Sequence, residues 1–141
     1  MENTNEMTLI FDSRPVNEGL ARVAAASFFT QLNPTLEEVA DVKTAVSEAV
    51  TNCIIHGYEG EVHKIRMDLR LKGRDLYVDI IDRGTGIADI KKAMEPLFTT
   101  KPEKDMSGMG FTFMEAFMDE VTVESKVGEG TSVHMKKTIQ R

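Results

Sequence analysis

Hydrophobic and polar positions alternate strictly between residues 64 and 72. Ile65, Met67, Leu69 and Leu71 interleave with Lys64, Arg66, Asp68, Arg70 and Lys72. A period of two places the apolar set on one face and predicts a half-buried strand. Lys72-Gly73-Arg74-Asp75 reads as a turn, and Leu76 to Ile81 returns as the hairpin partner. Near the start, Met7, Leu9 and Phe11 alternate with Thr8, while Ile10 falls on the other face. This predicts a short first strand with one face less polar than usual.

The period then changes. Val16, Leu20, Ala24, Phe28 and Leu32 recur every fourth residue, giving a helix from about Pro15 to Leu32 that Asn33-Pro34 ends. Thr35-Leu36-Glu37-Glu38 is a capping box opening a second helix, which runs to His56 with Gly57 as its stop. Residues 82–110 hold six glycines or prolines and predict a long loop, with one short helix near Ile90 to Met94. A loop of this length in a compact domain is usually functional. Phe111 to Met118 reads as a further helix, and Val121 to Ser125 pairs with Thr131 to Lys137 over Gly128-Glu129-Gly130. The order β-α-α-β-β-loop-α-β-β implies an α+β two-layer sandwich: a mixed, mostly antiparallel sheet with helices on one face.

Composition narrows the classes. The 141 residues suit a single domain, 1–141, and 41% hydrophobic content supports a packed core. No apolar run reaches a membrane span, and the N-terminus is polar and acidic, unlike a signal peptide. One cysteine, Cys53, excludes a disulfide framework and cysteine-rich metal sites. A cytoplasmic protein is expected. A net charge of -6 disfavours direct nucleic-acid binding. It leaves open a protein partner that itself touches DNA.

The candidate chemistry lies in four places. Glu48 and Asn52 are roughly 40° apart on the second helix, opposite Val39, Val42, Val46, Val50 and Cys53. In isolation the pair reads as an exposed polar stripe. Yet Asn is a mediocre helix former in an interior position, and its carbonyl suits Mg²⁺, which takes few protein ligands. Glu48 is then placed to act as a general base. Asp82-Arg83-Gly84-Thr85-Gly86 follows a strand: it is either an ordinary turn or a carboxylate that accepts from an exocyclic amine, with glycines that admit a ligand. Ser107-Gly108-Met109-Gly110 precedes a helix, where N–H groups favour phosphate, or simply turns the chain. Thr99, Thr100 and Lys101 offer hydroxyls and a cation upstream, and Gly130-Thr131 follows near the end. There is no P-loop, and Asp89 breaks a dinucleotide fingerprint. Cys53 reads as core. His56, His63 and His134 lack ligand spacing.

Glu48-x-x-x-Asn52, Asp82-x-Gly84-x-Gly86, Gly108-x-Gly110 and Gly130-Thr131 resemble the ATP-binding boxes of gyrase, heat-shock 90 chaperones, histidine kinases and MutL proteins. Longer strings are similar to the sporulation anti-sigma F factor family. These are Val46 to Asn52, Ile55 to Tyr58, Pro96 to Glu103, Ser107 to Thr112, Ala21-Arg22-Val23 and Phe117-Met118-Asp119. The resemblance spans nearly the whole chain and implies a Bergerat-type ATP-binding fold. It implies a protein that sequesters a sigma factor and uses Mg-ATP to phosphorylate a serine of an anti-anti-sigma antagonist. The alternative is a nucleotide-binding anti-sigma module with little or no kinase activity.

On that resemblance Glu48 is the base, Asn52 holds Mg²⁺, and Asp82 reads adenine with help from Thr131. Gly84, Gly86 and Ile87 lie at the base pocket. Thr99, Thr100 and Lys101 form a lid, and Ser107, Gly108, Met109 and Gly110 cradle the phosphates. Arg22 contacts partners, and the chain forms a homodimer through the first strand and helix. One departure stands out. Asp105-Met106 occupies the place of a usual Glu-Arg, which bears on phosphotransfer rate or docking. Lys101 and Lys104 do not reproduce a bidentate arginine.

Overall fold

The computed structural model describes residues 4–88 and 110–140. Five strands form one sheet in the order β1-β2-β3-β5-β4. They are β1 (Thr4–Asp12), β2 (Lys64–Lys72), β3 (Asp75–Asp82), β4 (Glu120–Lys126) and β5 (Gly130–Thr138). Every pairing among them is antiparallel, so the sheet contains none of the parallel pairing that a mixed sheet allows. Two hairpins supply β2–β3 and β4–β5, and the remaining neighbours meet with reversed direction.

The alternation read in β2 is realised. Ile65, Met67, Leu69 and Leu71 are buried, and Leu76, Val78 and Ile80 continue the same face in β3. Val133 and Met135 extend it into β5. The opposite face is polar: Thr8 donates to Asp68, Arg66 pairs with Asp68 at 2.9 Å, and His134 meets Asp79 at 2.8 Å.

Among the described residues three helices cover the apolar face: α1 (Val16–Phe29), α2 (Leu36–Asn52) and α3 (Gly110–Phe117). A 3₁₀ turn, Thr30–Leu32, ends α1, and Asn33 follows at φ 54°, a left-handed value that Asn tolerates. Thr35 and Glu38 make the capping box that opens α2. This helix is central. Val42, Ala45, Val46, Ala49 and Val50 are all fully buried, because α2 packs on the sheet and against both α1 and α3. Small residues at Ala45 and Ala49 let the neighbouring helices approach.

The end of α2 departs from a simple helix. From Cys53 to Gly57 the chain widens into a π-turn, closed by the Tyr58 N–H to Cys53 carbonyl bond at 2.9 Å. The helical run therefore does end at Gly57, but its last turn is expanded. Such widenings often mark functional positions. The expected short helix near Ile90 to Met94 lies outside the described residues.

Candidate functional site

Asp82 closes β3 on the helix-covered side of the sheet and is only 4% exposed. Burial raises its carboxyl above the ordinary aspartate value of 3.8. Hydrogen bonds from the Gly84 N–H, the Cys53 thiol and the Thr131 backbone oppose that rise without cancelling it. The Gly84 N–H reaches Asp82 Oδ1 at 2.9 Å.

The backbone crowds this carboxylate. A β-carbon on Gly57 would sit 2.7 Å from Asp82 Oδ2, and one on Gly84 would sit 1.9 Å from the Gly57 carbonyl oxygen. Only glycine allows the π-turn, the loop after β3 and the carboxylate to meet here. The Thr85 N–H then donates to the Gly57 carbonyl at 2.8 Å, and the Gly128 N–H donates to the Thr85 carbonyl at 2.8 Å. The loop is thus stitched to the end of α2 on one side and to the β4–β5 hairpin on the other. Gly86, at φ 77°, lies against the Lys126 carbonyl within that contact.

Thr131 is 8% exposed and stands opposite Asp82 in the β3–β5 register. Its Oγ1 lies 2.7 Å from Ser125 Oγ, which accepts from the Ile87 N–H at 2.7 Å. Asp82, Gly84, Gly86, Ile87 and Thr131 therefore form one connected group, as their separate motifs suggested. Ser125 was not foreseen. Its signal is the hairpin register, Ser125 opposite Thr131, which aligns it with a residue already singled out.

Asn52 is the last residue of α2 and is half-buried. A β-carbon on Gly110, the first residue of α3, would lie 3.0 Å from Asn52 Nδ2. Asn52 thus adjoins the start of α3, and Glu48, also half-buried, lies one turn earlier on α2. Cys53, 3% exposed, packs in the core as read, and burial together with the nearby Asp82 carboxylate pushes its thiol pKa up. Nothing in the linear sequence signals that nearness.

Arg22 lies apart, on α1. It is half-buried, and its Nε has no hydrogen-bond partner among the described residues. Thr99, Thr100, Lys101, Ser107, Gly108 and Met109, with Asp105-Met106, lie outside the described residues. A separate cleft of about 980 Å³ opens below the Gly57–Gly84 contact, lined by Tyr58, His63, Lys64, Arg66 and Arg83 among others. It excludes Asp82, Asn52 and Thr131. Two of its cations are already paired, Lys64 with Asp12 and Arg66 with Asp68.

The fold and the glycine-packed loop are those of a histidine kinase-like ATPase domain, and the family model of that description matches residues 11–137. Curated relatives narrow the class. The anti-sigma F factor of Thermoanaerobacter sp. (strain X514) is 55% identical over 139 residues, covering 99% of this chain and 97% of the relative. That of Caldanaerobacter subterraneus subsp. tengcongensis is 52% identical over 141 residues, covering 100% and 99%. The chain belongs to the anti-sigma F factor family. A solved structure of RsbU and RsbW domains from Mycobacterium tuberculosis shares the fold at TM-score 0.71 and 20% identity, over 97% of this chain and 32% of that one.

Chemically, the donor set fits a magnesium nucleotide. A desolvated carboxylate at a strand end can accept from an exocyclic amine. Asn52 presents a hard oxygen of the kind Mg²⁺ accepts. Among the described residues, no group of three His, Cys, Asp or Glu is placed to hold a metal ion. No described helix is long and apolar enough to cross a membrane.

Proposed function

We propose that this chain is a cytoplasmic, homodimeric anti-sigma factor that sequesters a sporulation sigma factor. It also acts as a protein-serine kinase, phosphorylating its anti-anti-sigma antagonist with Mg-ATP. The observation that carries the nucleotide reading is Asp82: a carboxylate 4% exposed, at a strand end, with glycine backbone packed against it. Such a group accepts from adenine and rejects guanine, which presents a carbonyl at that position.

Bound Mg-ATP supplies the transferable phosphoryl group. Asn52 would hold the metal through its carboxamide oxygen, and Thr131 would support the base beside Asp82. Glu48, one turn from Asn52, would accept the proton of the incoming serine hydroxyl. The protein's work in such transfers is positioning and charge stabilisation. α2 serves that end because its buried flanks fix the azimuth of the Glu48–Asn52 stripe. Thr99, Thr100 and Lys101, with Ser107 to Gly110, would close over and cradle the phosphates.

Partner binding uses another surface. Val16, Leu20 and Val23 are exposed large apolar residues spaced along α1, the helix that carries Arg22. An apolar patch with an arginine suits a protein partner or a second copy.

The test incubates the full chain with labelled ATP, Mg²⁺ and a cognate anti-anti-sigma protein. Acid-stable label on a partner serine is the expected result. Nucleotide binding with no transfer would overturn the kinase reading and leave a binding module. Failure to capture a sigma factor from the native cell would overturn sequestration.

A further inference from the structure

A tyrosine hydroxyl stands where the β2–β3 ladder would otherwise continue. The two-residue turn Gly73-Arg74 makes Lys72 and Asp75 a hydrogen-bonded pair, and bonded pairs then alternate along the hairpin as far as Arg66 and Ile81. The next bonded position in that register is Lys64 opposite Arg83. There the Arg83 N–H donates to the Tyr58 hydroxyl at 2.8 Å, and that hydroxyl donates to the Lys64 carbonyl at 2.5 Å. We infer that Tyr58 is a positioning residue: its hydroxyl, set between the ends of β2 and β3, holds the chain after Asp82 against Gly57 and thereby sets affinity for the adenine amine. The inference rests on the reading of Asp82 as the adenine contact and deepens it.

A direct bond from Arg83 to Lys64 would keep Arg83 in the ladder and carry the chain on beside β2. The inserted oxygen makes two hydrogen bonds where the ladder has one, so the strand ends part after Asp82. The chain then turns towards the end of α2. The Gly84 N–H reaches back to Asp82 Oδ1 at 2.9 Å, and the Thr85 N–H donates to the Gly57 carbonyl at 2.8 Å. Gly84 is so close to that carbonyl that a β-carbon would lie 1.9 Å from its oxygen. The direction of the chain at Arg83 therefore decides where the Asp82 carboxylate is held.

Tyr58 is itself fixed from several sides. It is 7% exposed, and its ring lies against His63 with centroids 4.9 Å apart. Its N–H closes the π-turn on the Cys53 carbonyl at 2.9 Å. One residue thus holds the helix end through its backbone and the two strand ends through its side chain. Ser13, 2% exposed, secures the intervening loop: its hydroxyl donates to the Glu61 carbonyl at 3.0 Å and accepts from the His63 N–H at 2.9 Å. Removing the Tyr58 hydroxyl leaves an N–H and a carbonyl without the partner that joins them.

The experiment measures nucleotide affinity with Mg²⁺ by calorimetry for the full chain and for Y58F, D82N and the double variant. The nucleotides are ATP and purine riboside triphosphate, which lacks the exocyclic amine. Phe keeps the ring, so Y58F is expected to fold and to bind ATP about three- to tenfold more weakly, the size of one hydrogen bond. Its affinity for the amine-free nucleotide should stay near the parental value. Y58F added to D82N should cost little more, because residues that act through one another are not additive. Hydrogen exchange in the unmutated chain needs no variant: the Arg83 amide should be protected although it lies past the end of β3. Parental ATP affinity in Y58F, or an unprotected Arg83 amide, would overturn the inference. So would equal losses for the two nucleotides or full additivity with D82N, either of which would reduce Tyr58 to a general prop of the fold. If D82N leaves ATP affinity unchanged, the adenine reading fails; if D82N weakens binding and Y58F does not, the inference alone fails.

Discussion

Gly57 and Asp82 are in contact across the end of α2 and the end of β3, with space between them for no side chain: a β-carbon on Gly57 would meet Oδ2 at 2.7 Å. The helix stop is therefore also one wall of the site. Gly57→Ala should force the carboxylate or the π-turn to move, at a cost of about 1–3 kcal/mol, as overpacking does. Denaturant unfolding measures that loss, and ATP affinity should fall with it. A folded Gly57→Ala variant with parental affinity would break the link between the turn and the site.

Asp82→Asn should weaken ATP binding by about 1–3 kcal/mol without unfolding the chain. The unmutated protein should prefer ATP to GTP, and equal affinities would remove the adenine assignment. Stability should move the other way. Burial raises the folded-state pKa of Asp82 above its unfolded value of 3.8. The folded chain therefore holds this proton more tightly, and stability declines as pH rises through the window between the two values. Asn removes that decline. At pH 7, thermal unfolding of Asp82→Asn should occur at or above the parental temperature.

Glu48→Gln and Asn52→Ala should separate base from ligand. Gln keeps shape and hydrogen bonding but takes no proton. That variant should retain Mg-ATP and sigma binding and lose roughly 10²–10⁴-fold in phosphotransfer. Asn52→Ala should lose ATP affinity itself and respond less to added Mg²⁺. Transfer at the original rate by Glu48→Gln would show that Glu48 is not the base. Equal loss of ATP binding in both would refute the division of roles.

Arg22→Ala should weaken partner binding and leave ATP affinity near its original value, because Arg22 lies on α1, away from the Asp82 group. Binding assays with sigma factor and with ATP, run side by side, check this. A large loss of ATP affinity would place Arg22 in the nucleotide site or the core.

Glu38 gives a stability test remote from the site. Burial pushes its pKa up, but N–H groups of Thr35 and Gln140, the Thr35 hydroxyl and Lys137 bring it below the ordinary 4.5. Both N–H bonds measure 2.8 Å. A depressed carboxylate stabilises the fold above its unfolded pKa and loses that contribution as pH falls through the folded value. Glu38→Gln should therefore be less stable than the parent at pH 7, by about 1 kcal/mol, a typical capping loss. The gap should close in acid. A gap independent of pH would mean that the charge contributes nothing.

The sequence by itself determined the elements and the order of the motifs. Strict alternation in β2 needs one buried face, and the capping box needs only local hydrogen bonds, so both are legible without neighbours. The polar stripe of Glu48 and Asn52 follows from helical period alone. The strand register could not be read this way, although it is what sets Asp82 opposite Thr131 and Ser125 beside Ile87. Cys53 shows the limit most clearly. Its burial follows from its place on the apolar side of α2, but its nearness to the Asp82 carboxylate depends on how a helix end docks against a strand end. The π-turn is likewise absent from the pattern, because a period of 3.6 does not predict one extra residue. Tertiary packing decided these features: the widened turn lets Gly57, Gly84 and Asp82 close around one another, and no local preference of those residues asks for it.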